Sequence, residues 1–245
     1  MNETLLSIFN KYYEKEYFTG AVCLVVKDDE KVAELAYGHK NIDKKTEVDE
    51  SSIFDLASVS KLFTSTIILK LITDDVIQLD TTLKQCLPQV QGNETLEKIT
   101  IKQLLTHSSG LIAWYPFYTE LPNEDLYNIL NKITLTHNED KTVYSDLNFI
   151  LLGEVIKQQT NLSLQNAVNK YIVKPLKMDS LTYGPMKDVE SIVATEFGNQ
   201  IETQMCKERN KQFDGFRDQT VPIVGEVNDG NCHYFFKGQS GHAGL

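Results

Sequence analysis

Apolar residues near the start of the chain follow first a helical spacing and then short runs. Residues 5–13 place Leu, Ile, Phe and Tyr at helical intervals, which predicts a helix with one face on a core. Two apolar segments, 21–26 and 31–37, flank the acidic turn residues 28–30 and predict a β-hairpin. A helix followed by paired strands is typical of the α+β class.

The middle of the chain carries longer apolar segments. Residues 61–72 predict a helix that ends near the polar residues 73–75. Further helices are predicted at residues 100–105, 123–132, 147–159 and 164–172. Beyond Met178, scattered glycine and polar residues give no periodic pattern, and no regular element is predicted there.

We therefore expect residues 1–245 to form one α+β domain with two parts. An α/β sandwich layer is expected from residues 1–60 and 190–245, and a mostly helical part from residues 61–189. Because ligand sites commonly form where subdomains meet, the functional site is expected in the cleft between these parts.

Charge and hydropathy narrow the class of function. The 34 acidic residues outnumber the 24 basic ones, and the resulting net charge of -10 opposes binding to nucleic acid or to an anionic membrane. No apolar run approaches the ~20 residues that span a bilayer, and the first residues lack the pattern of a secretory signal. The expected protein is cytoplasmic, with no membrane span and no nucleic-acid partner.

The cysteines give no sign of a disulfide framework or a metal site. The four cysteines are scattered and form no C-x-x-C pair, so free thiols are expected. Cys232 and His233 are adjacent, but two neighbouring ligands do not make a metal site without further members. We expect neither a metal nor another cofactor.

A serine precedes a lysine by three positions at the start of the helix predicted over residues 61–72. This spacing places Ser58 and Lys61 on one helical face. A serine hydroxyl is a weak nucleophile until a base takes its proton, and a lysine can do so only where burial or nearby cations favour its neutral form. The same short pattern also fits a helix-capping serine and a solvated lysine.

A second polar group introduces the apolar segment 147–156. Tyr144 stands two positions before Asp146. A phenol can relay a proton to a leaving group beside a cationic lysine, and a carboxylate can accept hydrogen bonds from substrate or from Lys61. A packed tyrosine followed by a helix-capping aspartate is the structural alternative.

Six segments in order resemble the beta-lactamase-related family, which includes class C beta-lactamases, penicillin-binding peptidases and related esterases. The segments are FDLASVSK, LDTTLKQCLP, ITIKQLLTHSSGL, VYSDLNFILLGEVI, PLKMDSLTYG and SGHAGL. The resemblance covers essentially the whole chain, and S-x-x-K is a signature of the wider penicillin-recognising group. It implies a beta-lactamase/transpeptidase-like fold.

The resemblance also implies roles for individual residues. Ser58 would be the acylated nucleophile, Lys61 its general base, and Tyr144 the residue that shuttles the proton. Asp146 takes a substrate-binding position that the family often fills with Asn, which replaces an amide donor with a charged acceptor. His107, within Thr-His-Ser-Ser-Gly, suggests a serine–histidine triad, but in the family this segment shapes the helical part, so we expect a structural role.

The third family element, Lys/His-Thr/Ser-Gly on a strand beside the active site, has only a superficial counterpart in residues 242–244. Because GHAGL usually precedes further elements in related sequences, we expect the third element to lie beyond Leu245. The chain is then expected to be a truncated form that lacks the last strands.

The leading hypothesis is a serine hydrolase that forms an acyl-enzyme on a small-molecule ester, amide or beta-lactam. An esterase is favoured over a beta-lactamase or D-Ala-D-Ala peptidase by the acidic composition, the expected location and Asp146. The alternative is a catalytically incomplete binding or regulatory protein that retains the family pocket. Oligomeric state does not follow from the sequence.

Overall fold

The computed structural model describes residues 2–41, 46–133 and 141–245. The chain divides into two compact units. The first unit comprises Met1–Asp55, Met186–Gly198 and Asp218–Gly225. The second comprises Leu56–Pro185, Asn199–Arg217 and Glu226–Leu245. Helices and strands are both present, as expected for the α+β class.

The first unit contains the predicted opening helix and hairpin. Its elements are α1 (Asn2–Tyr13), β1 (Gly20–Lys27), β2 (Glu30–Asn41) and β3 (Thr46–Glu47). The strands form an antiparallel sheet in the order β1-β2-β3. Helix α1 contacts β2, and the rings of Phe9 and Tyr13 lie 6.2 and 5.3 Å from that of Tyr37.

The turn between β1 and β2 explains the hairpin register. Asp28 and Asp29 have φ angles of 53° and 62°, both in the left-handed region. Aspartate tolerates this conformation better than most residues, and a turn with two such residues matches the right-handed twist of the strands. The acidic turn therefore supports the pairing of Lys27 with Glu30.

The second unit is helical. Its α-helices are α2 (Ser60–Thr73), α3 (Leu83–Cys86), α4 (Glu94–Lys98), α5 (Ile101–Leu105), α6 (Leu126–Leu130), α7 (Asp146–Thr160), α8 (Leu164–Val168), α9 (Lys174–Leu176) and α10 (Gln200–Glu208). Short 3₁₀ turns occupy Ala57–Val59, Pro88–Val90 and Phe117–Glu120, and π-helical turns occupy Asn169–Val173 and Asn231–Phe235. Every helix predicted for this region has a counterpart, whereas α3, α4, α9 and α10 were not predicted.

Helix α7 lies at the centre of the second unit. Leu151, Leu152 and Val155 are fully buried, and the helix contacts α2, α5 and α8. A helix that is apolar on most sides is stable only inside a core. Because α2 begins beside Ser58 and α7 begins at Asp146, their packing brings together the two polar groups singled out in the sequence.

The segment 240–242 approaches α7 through backbone contact. A Cβ atom at Gly153 would lie 2.8 Å from the Gly241 nitrogen, and a Cβ atom at Gly241 would lie 2.2 Å from the Phe149 oxygen. Only glycine permits this approach. The Thr64 hydroxyl also donates to the Gly241 oxygen at 2.8 Å, so the segment is tied to both α2 and α7.

Within the described residues, no helix combines the length and the apolar character that crossing a bilayer requires. All four cysteines are free thiols.

Candidate active site

Ser58 lies in the 3₁₀ turn that leads into α2, and its side chain meets that of Lys61 as the spacing predicted. Lys61 Nζ donates a hydrogen bond to Ser58 Oγ at 2.8 Å. Ser58 is exposed, whereas only 6% of the Lys61 side chain is exposed. The arrangement presents an accessible hydroxyl to a substrate and keeps the amine beside it largely out of water.

The backbone at this turn is constrained. Ala57 has a φ of 44°, in the left-handed region, which costs a residue with a Cβ atom about 1 kcal/mol. The flanking Leu56 N–H donates to the Leu245 oxygen at 2.8 Å, and the Leu245 N–H donates to Ser60 Oγ at 3.2 Å. Strained backbone that is held by its surroundings is common at functional sites.

Lys61 Nζ contacts three oxygen atoms. Besides Ser58 Oγ, it lies 2.7 Å from Asp146 Oδ1 and donates to the His242 carbonyl oxygen at 3.1 Å. The contact with Asp146 is an ion pair without the angular geometry of a hydrogen bond. Lys61 Nζ therefore lies among three oxygen atoms, one of which belongs to a carboxylate.

Tyr144 lies against Lys61 through its ring. Lys61 Nζ is 5.0 Å from the ring centroid, and the Tyr144 residue is 54% exposed. The tyrosine hydroxyl makes no hydrogen bond with Ser58 or with any other described residue. The hydroxyl of this exposed residue is therefore free to bond with a ligand.

Asp146 is the first residue of α7. Its N–H donates to the Ala113 oxygen at 2.9 Å, and the preceding Ser145 hydroxyl donates to the Ile112 oxygen at 2.6 Å. A carboxylate at a helix N-terminus is favoured by the helix dipole. These contacts fix the start of α7 so that the Asp146 carboxylate faces Lys61.

His107 positions the segment that carries Tyr144 and Asp146. Its Nδ1 accepts a hydrogen bond from the Ser145 N–H at 3.1 Å and lies 3.1 Å from Asn148 Nδ2. Its ring lies 4.6 Å from that of Tyr144. Burial and the nearby Lys61 ammonium lower the pKa of His107, which favours the neutral form that these donors require. Both His107 and Ser58 are described by the structure, and no hydrogen bond links them. They therefore do not form part of a serine–histidine triad.

Replacing His107 with phenylalanine is expected to lower stability. His107→Phe keeps an aromatic ring beside Tyr144 but removes the acceptor for the buried Ser145 N–H, at a cost of about 1 to 3 kcal/mol. Because the pKa of His107 is lowered on folding, the wild-type protein begins to lose this contribution below the ordinary value of 6.5, and the loss is complete once pH has fallen through the lowered pKa of the folded state. Urea unfolding should show a smaller difference between the two proteins at pH 5 than at pH 7.5. Equal differences at both pH values would contradict the assignment.

A pair of residues that sequence reasoning did not assign adjoins Lys61. His242 Nε2 lies 2.9 Å from Asp229 Oδ1, and His242 Nδ1 lies 2.7 Å from Ser240 Oγ. Burial disfavours the imidazolium, but the Asp229 carboxylate outweighs burial and raises the pKa of His242. Burial likewise opposes ionisation of Asp229, yet His242 holds its pKa below the ordinary value. Each partner therefore favours the charged form of the other, Asp229 the imidazolium and His242 the carboxylate.

Asp146, Asp229 and His242 form the cluster most suited to a metal ion among the described residues. Their donor atoms lie within 4.8 Å of one another. In the structure, however, Asp146 is paired with Lys61 and His242 with Asp229. A cation would have to displace both partners, so the cluster is better described as two adjoining ion pairs.

Comparison with known proteins identifies the family of the chain. The model of the Beta-lactamase family matches residues 7–203. The chain is 28% identical over 254 residues to the N-acetylmuramyl-L-alanine amidase of Bacillus subtilis, covering 93% of this chain and 56% of the relative.

Solved structures show the same fold. The octameric penicillin-binding protein homologue from Pyrococcus abyssi matches with a TM-score of 0.72 at 18% identity, over 99% of this chain and 52% of that one. A class C beta-lactamase matches with a TM-score of 0.70 at 18% identity, over 81% of this chain and 55% of that one. The chain thus spans about half the length of these proteins. The predicted beta-lactamase/transpeptidase-like fold is confirmed, and the chain belongs to the beta-lactamase family.

Proposed function

We propose that this chain carries the nucleophile and base of a serine hydrolase that forms an acyl-enzyme on an ester or an amide, with esters preferred. The observation that supports the proposal is the 2.8 Å contact between Lys61 Nζ and the exposed Ser58 Oγ. A hydroxyl with a base in hydrogen-bond reach is the basic requirement of nucleophilic catalysis.

In this proposal Ser58 Oγ attacks the substrate carbonyl carbon while neutral Lys61 takes the hydroxyl proton. The carbonyl π electrons move to its oxygen, and backbone N–H groups at the start of α2 are suited to stabilise that charge. The oxyanion then collapses, the bond to the leaving group breaks, and the leaving group takes a proton through the Tyr144 hydroxyl.

Deacylation repeats these steps with water as the nucleophile. Water attacks the Ser58 ester and loses its proton to the same base. The ester bond to Oγ breaks, Oγ is protonated, and the acid leaves.

Asp146 supports the preference for small neutral esters. A carboxylate accepts but cannot donate a hydrogen bond at neutral pH, so it cannot bind an amide or lactam carbonyl as asparagine would. It also repels substrates that carry a carboxylate, as penicillins do, and the net charge of -10 acts in the same direction.

Asp146→Asn is expected to shift this preference. The amide supplies the missing donor and removes the repulsion, so acylation by a penicillin should rise about tenfold relative to acylation by p-nitrophenyl acetate. Intact-mass spectrometry of the acyl-enzyme and release of p-nitrophenol provide the two rates. Asp74→Asn, a surface change at the far end of α2, is the matched control. An unchanged ratio would contradict the role given to Asp146.

The proposal is tested by labelling the chain with a fluorophosphonate and mapping the modified peptide. We expect one label, on Ser58, and hydrolysis of short-chain p-nitrophenyl esters. A folded protein that is not labelled would overturn the proposal. Stoichiometric acylation without turnover would instead favour the alternative of a catalytically incomplete binding or regulatory protein.

A further inference from the structure

We infer that Asp229 and His242 are positioning residues that set the charge state of Lys61. The inference rests on the proposed function, because it concerns how Lys61 becomes able to accept the Ser58 proton. It starts from a conflict in the geometry of the site. Lys61 must be neutral to act as a base, yet its Nζ lies among three oxygen atoms, one of them in the Asp146 carboxylate.

The backbone of His242 places the imidazole where its charge affects the balance between the neutral and charged forms of Lys61. The His242 carbonyl oxygen accepts from Lys61 Nζ, and the approach of Gly241 to α7 holds the segment there. Only 1% of His242 is exposed, so water screens its charge weakly. The imidazole donor atom also lies within 4.8 Å of an Asp146 carboxylate oxygen.

Both ring nitrogens of His242 have an oxygen partner. Asp229 Oδ1 contacts Nε2 at 2.9 Å and also accepts the Cys232 N–H at 2.7 Å. Ser240 Oγ contacts Nδ1 at 2.7 Å, and the Ser240 carbonyl oxygen accepts from the Tyr183 hydroxyl at 3.0 Å. With two oxygen partners, the ring can carry a proton on each nitrogen.

The charged groups that act on His242 come from several elements. Asp229 precedes the π-helical turn Asn231–Phe235, Asp146 begins α7, and Lys61 lies in the first turn of α2. The carboxylates favour the imidazolium, and Lys61 opposes it. Coupling between charges is reciprocal, so the imidazolium in turn favours neutral Lys61.

His242 therefore opposes the effect of Asp146 on Lys61. The imidazolium attracts the Asp146 carboxylate and repels the Lys61 ammonium. Both effects lower the free energy needed to remove the Lys61 proton. Asp229 favours the charged form of the imidazole within the core. Without His242, two carboxylates would adjoin Lys61 and hold its proton.

The test is the pH dependence of Ser58 labelling by a fluorophosphonate between pH 5 and 9. For His242→Gln we expect the rising limb of the plot of labelling rate against pH to move to higher pH by about one unit. Labelling at pH 7 is then about tenfold slower than in the wild-type protein. Asp229→Asn combined with His242→Gln removes both charges, and its limb should return toward that of the wild-type protein. His233→Gln, at a histidine outside the pair, should leave the profile unchanged.

The outcomes separate this inference from the proposed function. If the wild-type protein is not labelled at any pH, the proposed function fails. If it is labelled and the rising limb of His242→Gln coincides with its own, the positioning role is wrong, whatever the change in maximum rate.

A measurement on the wild-type protein tests the inference even if the His242→Gln variant misfolds. NMR titration should show the His242 ring still charged above pH 6.5, the ordinary pKa of histidine. A ring that is neutral at pH 6.5 would overturn the inference even if His242→Gln does not fold.

Discussion

Ser58→Ala should abolish both fluorophosphonate labelling and ester hydrolysis. The substitution removes the atom that forms the acyl bond and leaves only binding and any oxyanion stabilisation, so the expected loss in kcat is on the order of 10⁴-fold or more. Ser58 is exposed, and its hydroxyl contacts Lys61 at 2.8 Å, so stability should change little. Initial rates with p-nitrophenyl acetate provide the measurement.

Ser65→Ala is the matched control for this change. Ser65 lies on α2, as Lys61 does, and is partly buried, but it is not one of the groups around Lys61 Nζ. It should retain wild-type rates. Comparable residual hydrolysis in Ser58→Ala and Ser65→Ala would show that the esterase activity arises elsewhere.

Lys61→Met should lower the acylation rate by about 10³-fold, and Lys61→Arg should not restore it. Methionine approximates the length of lysine but carries no base. Arginine remains protonated at any pH at which the protein is folded, so it cannot take the serine proton. Burst kinetics with a chromogenic ester separate acylation from deacylation.

Stability must be measured beside this rate. Removing Lys61 leaves the partly exposed Asp146 carboxylate and the His242 carbonyl without the ammonium, so urea unfolding should show some loss. Lys61→Met combined with Asp146→Asn should recover part of the stability but none of the rate. Lys70→Met, on the exposed part of α2, is the control for removing a lysine from this helix. A fast acylation burst in Lys61→Arg would disprove the role of a neutral amine.

Residues on periodic segments were predictable from the sequence. The spacing of Ser58 and Lys61 makes their contact a property of a single helical turn. Tyr144 and Asp146 lie before an apolar segment long enough to be recognised as a central helix, and that helix packs against α2. The local patterns thus placed Lys61 and Asp146 each at the start of an apolar helix, and the packing of α2 against α7 brings the two side chains together.

Asp229 and His242 were not predictable in the same way. They lie 13 positions apart, in a part of the chain without helical or alternating periodicity. Their contact depends on the π-helical turn Asn231–Phe235 and on the approach of Gly241 to α7. Both are tertiary features that a window of the sequence does not contain.

Helix α10 escaped prediction for a different reason. It has few apolar residues, and Cys206 is its buried one. Its N-cap, Asn199, has a φ of 59°, so the chain enters the helix from a left-handed residue rather than from a typical extended cap. The segment therefore lacks the periodic apolar face that indicates a helix, although Asn199 is a residue type common at helix N-caps.

The contact between Gly153 and Gly241 bears on how the site tolerates sequence change. The segment that carries the His242 carbonyl reaches Lys61 where the backbones at Gly153 and Gly241 touch. Substitutions of similar volume among the buried residues of α7 can be absorbed by repacking. Even a single methyl group at position 241 would collide with the Phe149 oxygen and push the histidine segment away from the amine. Directed evolution of this scaffold therefore has wide freedom in the core and almost none at these two glycines.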